Sequence, residues 1–127
     1  MKSNLDLARA LFQKAEHDLK TAQIGIEHES PLDTTAFHIQ QCAEKLIKAL
    51  LACRGISYPK THDLEDLLDL LPPDLTSIQS FRERLLGWNS YAVEMRYDAE
   101  IYPEKDEIEA ALDTALELRA VVEPLLH

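Results

Sequence analysis

The chain has 127 residues, about one domain, and its mix of 46% hydrophobic with 28% charged residues excludes disorder by composition. A formal charge of −10 excludes a generally basic nucleic-acid binder, because phosphate contacts need Lys and Arg. No apolar run approaches the ~20 residues needed to cross a bilayer, so no membrane partner is expected.

Residues 4–27 give the cleanest periodic pattern. Leu5, Ala8, Phe12, Ala15, Leu19, Ala22 and Ile26 recur at alternating spacings of three and four, one stripe along an amphipathic helix. The opening MKSNLDLARALFQKAEHDLK lacks a signal-peptide core, so a cytoplasmic setting is expected. Ser30 and Pro31 predict an N-cap followed by proline at the first helical position, with Asp33 helping the start. This second helix should run to about Arg54 and stop at Gly55, a residue suited to a left-handed C-terminus. Ile56 to Lys60 is a short link. Thr61 or Asp63 caps a third helix, LEDLLDLL, which Pro72 and Pro73 end. Asp74 caps a fourth, running from about Leu75 into Met95; Tyr97 to Pro103 is a loop; and Pro103 opens a fifth helix with the stripe Ile108, Ala111, Leu112, Ala115, Leu116 and Val122.

No stretch shows the alternating period of a strand, and no linker divides residues 1–127. The expectation is a single all-α domain: an up-and-down four-helix bundle with one additional short helix.

On a wheel of the second helix, Gln40 and Glu44 fall within the apolar arc, while Gln41, Lys45, Lys48 and His38 form the opposite, wet face. A buried carboxylate costs several kcal/mol unless paired. The fourth helix offers Arg82, Asn89 and Arg96, spaced by seven, a spacing that drifts only about 20° per step. A polar layer of Gln40, Glu44, Arg82, Asn89 and Arg96 between the two helices, or across a subunit boundary, is therefore expected to shape a ligand groove or a dimer seam. Solvation at the edge of the core is the bland alternative for Glu44. Lys45, Lys48, Arg54 and Lys60 concentrate positive charge, and Lys45, Lys48 and His62 are candidate contacts for a phosphate or an acidic partner; a plain solvated face competes with that reading.

The five histidines show no pair at metal-ligand spacing on one face, so no metal is expected. Cys42 and Cys53 lie roughly 16 Å apart along one helix at ~1.5 Å rise per residue, too far for a disulfide; ordinary buried thiols in a reducing compartment explain them. No Gly-rich phosphate loop and no oriented nucleophile–base pair is present in sequence, and no cofactor is expected.

Three stretches together resemble the HEPN domain family: A-F-H-x-Q-Q-x-A-E-K-x-x-K-A-L-L at Ala36 to Leu51, P-K-T-H-D-L at Pro59 to Leu64, and Y-A-V-E-M-R-Y at Tyr91 to Tyr97. The resemblance covers nearly the whole chain. It implies an all-α bundle that dimerises and pairs with a minimal nucleotidyltransferase in a toxin–antitoxin-like system, with a nucleotide or RNA as ligand and no DNA. Active members resemble metal-independent ribonucleases carrying Arg, four to six residues, His, and a Tyr two further on. Here Arg84 and Tyr91 match, and Arg82 fits the longer spacing, but Asn89 stands where the histidine belongs. Asparagine cannot shuttle a proton near neutral pH, and general acid–base work contributes typically ~10²–10⁴-fold. The expectation is a binding module, with a ribonuclease using a degenerate Arg84, Asn89, Tyr91 motif as the alternative.

Overall fold

The computed structural model describes residues 3–92 and 102–127. Helix α1 (Asn4–Glu27) begins with a reciprocal capping box: Ser3 Oγ accepts from the Asp6 N–H, and Asp6 accepts from the Ser3 N–H. Helix α2 (Leu32–Cys53) starts one residue later than expected. Pro31, not Ser30, occupies the N-cap, and the hydroxyl of Tyr102 accepts the Leu32 N–H. At the other end Gly55 has φ 70°, the Ile56 N–H reaches the Leu51 carbonyl, and the Gly55 N–H reaches that of Ala52. This is the paired C-terminal motif that glycine supports.

Helices α1 and α2 pack antiparallel along their lengths. Asn4 lies beside Gly55 at one end, and Gly25 lies against Thr35 at the other. A Cβ on Gly25 would sit 2.6 Å from Thr35 Oγ1, so the close approach requires glycine. The stripe read on α1 is the one that faces inward: Ala8, Ala15, Leu19 and Ala22 are buried.

The short helix α3 (Leu64–Asp69) is capped by Asp63, whose Oδ1 accepts from the N–H groups of Glu65 and Asp66. The continuous fourth helix expected from Leu75 into Met95 is instead broken. It consists of α4 (Thr76–Gln79), α5 (Arg82–Leu86) and α6 (Asn89–Ala92), and Val93 to Met95 lie outside the described residues. The joints are tight turns in which Phe81, Trp88 and Tyr91 donate to carbonyls three residues back. Ile78, Phe81, Leu85, Trp88 and Tyr91 are all buried. Their spacing, mostly three, suits local 3₁₀ winding better than an unbroken α-helix. Ser80 and Gly87, poor helix formers, sit at the breaks.

Helix α7 (Lys105–Val122), opening at Glu104 and not at Pro103, closes the bundle against α2 and α1. Ile108, Ala111, Ala115 and Val122 are buried as its stripe predicts; Leu118 and Thr114 join them, while Leu112 and Leu116 remain at the rim. The architecture is an all-α bundle with α2 as its central helix, and no strand occurs among the described residues. Both thiols are free; burial, with the nearby Asp18 carboxylate, pushes Cys42 up to about 12.

Candidate functional site

The wet face expected on α2 is covered. Asp18 of α1, itself buried, accepts from Lys45 Nζ and, at 2.9 Å, from His38 Nδ1. Gln41 is buried as well. Of the two lysines read as phosphate contacts, Lys45 therefore closes a carboxylate between α1 and α2, and Lys48 is taken by Glu44.

On another side of α2, Gln40 and Glu44 are buried, as the wheel places them, but their partners are not those expected. Glu44 Oε2 accepts from Lys48 Nζ at 3.0 Å, one turn along the same helix. Its Oε1 accepts from His62 Nδ1 at 2.7 Å and, more distantly, from the amides of Gln40 (3.5 Å) and Gln41 (3.4 Å). Gln40 also donates to the backbone carbonyl of His62 at 2.9 Å, and its own oxygen accepts from Gln41 at 2.7 Å. The amide and the carboxylate thus hold the Thr61–Asp63 turn by both main chain and side chain. Lys48 sits 5.6 Å from the ring centre of Tyr58, whose hydroxyl is pushed up by burial and by the Glu44 charge. Among the described residues no buried side-chain polar atom lacks a partner, the condition under which a core tolerates such a network.

The predicted partners from the fourth segment go elsewhere. Arg82 pairs with Asp69 at 2.8 Å and donates to Gln79. Asn89 Oδ1 accepts from the Leu64 N–H at 2.9 Å, and its Nδ2 donates to Asp63 Oδ1 at 3.1 Å. Both ends of the amide are used to dock α6 on the start of α3. Breaking the helix destroys the seven-residue register that had aligned Arg82 with Asn89. Arg96 lies outside the described residues. The expected layer between helices 2 and 4 is replaced by a network internal to α2 and the turn after it.

The three residues of the Arg84, Asn89, Tyr91 motif do not converge on one point. Arg84 is exposed, pairs with Glu117 at 2.9 Å and lies 4.4 Å over the Phe81 ring. Tyr91 is buried, stacks on Trp88 and donates its hydroxyl to Glu107 at 2.6 Å. Burial first, then the Glu107 bond, raises its pKa well above the ordinary tyrosine value. Arg84, Tyr91 and Glu107 line one cleft of about 340 Å³ with Trp88, Ala111 and Thr114, and Asn89 is not among its walls. Arg54 and Asp74 form an exposed pair at 3.0 Å. No cluster of His, Cys, Asp or Glu among the described residues is arranged to hold a metal, and no described helix is long and apolar enough to cross a membrane.

His62 and Glu44, each a candidate from the sequence on separate grounds, meet in the folded chain. Their union depends on the Gly55–Thr61 link folding back along α2. Lys48, expected on the face opposite Glu44, is instead its i, i+4 neighbour one turn along the same helix and supplies the cation sought on the fourth helix; Asp18, Glu107 and Glu117 had no signal short of the packed bundle.

Comparison with known proteins agrees with this architecture. The crystal structure of TT1696 from Thermus thermophilus superposes with a TM-score of 0.81 at 29% identity, covering 94% of this chain and 98% of that one. The crystal structure of ST0689, an archaeal HEPN homologue, superposes with a TM-score of 0.69 at 22% identity over 100% of both chains, a likeness of fold. A candidate toxin of Methanocaldococcus jannaschii, MJ1304, is 29% identical over 84 residues, which make up 66% of this chain and 54% of the relative. The matched region therefore spans about half the length of that curated relative. The profile of the HEPN domain matches residues 8–125, and the chain accordingly belongs to the HEPN domain family.

Proposed function

We propose that this HEPN protein works in the cytoplasm as a homodimeric binding module, paired with a minimal nucleotidyltransferase in a toxin–antitoxin-like system and binding a nucleotide. The observation that carries the reading is Asn89. It stands where active relatives are expected to place a histidine, and both ends of its amide are committed to the α3 start. A group so engaged neither shuttles a proton nor stands free to meet RNA. The similarity to a candidate toxin supports a toxin–antitoxin setting. Affinity capture from the native cell should recover a nucleotidyltransferase, and sedimentation should give a dimer. Recovery of this chain alone, as a monomer, refutes the module as described.

A second reading is a ribonuclease built on Arg84 and Tyr91, favoured by the cleft that these two share with Glu107. It requires RNA cleavage by the purified protein that disappears in Arg84→Ala. RNA left intact at micromolar protein removes it.

A further inference from the structure

His62 differs from the other histidines of the chain in combining two properties. Its Nδ1 is 2.7 Å from Glu44 Oε1, a carboxylate that is only 4% exposed, while its own side chain is 61% exposed. His38 shares the carboxylate contact, through Asp18, but its side chain is 27% exposed. His17, His28 and His127 are exposed, and the one ring contact seen there is a backbone carbonyl at 3.3 Å for His127.

The donors around Glu44 decide the tautomer. Lys48 and the two glutamine amides can only donate, so the carboxylate accepts on every side, and His62 Nδ1 must carry the hydrogen. Lys48 balances the carboxylate charge, and in the neutral form of the ring this tautomer puts the lone pair on Nε2. Gln40 holds the His62 carbonyl, so the backbone behind the ring is fixed too. The neighbouring carboxylate, Asp63, is engaged through its Oδ1 with the α3 N–H groups and with Asn89. Lys60, an exposed cation two residues earlier, offsets some of the local acidity. An oriented, exposed nitrogen nucleophile backed by a buried carboxylate is suited to covalent chemistry at phosphorus.

We propose that His62 is a phosphoryl-acceptor site, taking a phosphoryl group onto Nε2 from a small activated donor of the phosphoramidate or acyl-phosphate class. The Nε2 lone pair attacks phosphorus and an N–P bond forms. The P–N bond of zwitterionic phosphoramidate, or the P–O bond of an acyl phosphate, breaks, and its electron pair leaves on ammonia or carboxylate. The ring, still protonated at Nδ1, carries the resulting positive charge against Glu44. Such chemistry needs neither a dimer nor a partner, so it stands apart from the binding-module reading.

The test is a labelling time course on the full chain with potassium phosphoramidate, followed by intact mass and mapped by tandem mass spectrometry under alkaline conditions, because phosphohistidine is acid-labile. His62 should be modified at least about tenfold faster than His17, His28 or His127, equivalent to ~1.4 kcal/mol of barrier, with His38 slower than His62 because its ring is shielded. Glu44→Gln should remove most of that advantage and leave the other histidines unchanged. Should Glu44→Gln fail to fold, the ranking within the wild-type chain decides. Even labelling across the exposed histidines, or a folded Glu44→Gln that labels His62 at the wild-type rate, overturns the proposal.

Discussion

A double-mutant cycle on Glu44 and Lys48 separates a buried network from an ordinary surface pair. The two residues are one helical turn apart, and on a wet helix face such a pair contributes ~0.3–0.5 kcal/mol. Here the carboxylate is 4% and the ammonium 15% exposed, and the same carboxylate also receives the His62 ring. Glu44→Gln retains volume and an acceptor for Nδ1 but loses the charge, forfeiting hydrogen bonds to an ionised group that are worth roughly 1.5–3 kcal/mol. Lys48→Met strips the carboxylate of its cation, and the cost falls toward the lower end of the ~3–5 kcal/mol known for broken buried pairs because the His62 ring N–H and the two glutamine amides still donate to it. The coupling in the cycle should be about 1–2 kcal/mol. Urea unfolding of the four proteins, with the slope checked for constancy, gives the number. A coupling at or below ~0.5 kcal/mol would mean that water reaches Glu44 freely and that the clamp on the Thr61–Asp63 turn is not held by charge.

Three further outcomes follow from the packing. Gly25→Ala should lose about 1–3 kcal/mol by overpacking against Thr35 Oγ1, and Thr35→Ala in the same chain should recover much of it; chemical denaturation of the pair reports both. Asn89→Ala removes the acceptor of the Leu64 N–H and one of the donors to Asp63 and should cost about 1–2 kcal/mol; an unchanged midpoint contradicts the docking role assigned to this residue. Tyr91 has its folded-state pKa raised by burial and by Glu107, so the folded chain binds the phenolic proton more tightly than the unfolded chain does. Its contribution is complete below the ordinary tyrosine value and is lost as pH rises through the folded one. Alkaline unfolding should therefore be less steep in Tyr91→Phe, and identical profiles for the two proteins would refute the assignment.

Much of this molecule was written in local order. The stripe from Leu5 to Ile26 puts one face of α1 inward, Gly55 ends α2 because a left-handed residue is needed there, and Asp63 starts α3 because its carboxylate meets free N–H groups. Even the oddity of Gln40 and Glu44 within an apolar arc could be read from the wheel, since burial on a helix depends on angular position alone. Tertiary packing decided the partners. Spacing by seven aligns Arg82 with Asn89 only if the helix is continuous. Burying Ile78, Phe81, Leu85, Trp88 and Tyr91 at near-three spacing breaks it, sending Arg82 to Asp69 and Asn89 to the start of α3. The supposed wet face of α2 became a carboxylate-bridged seam because Asp18 arrives from α1, and Glu44 met His62 because the link after Gly55 turns back on its own helix. A residue's face is set by its neighbours in the chain, whereas its partner is set by which other element fills the space opposite, and that is settled only when the whole bundle closes.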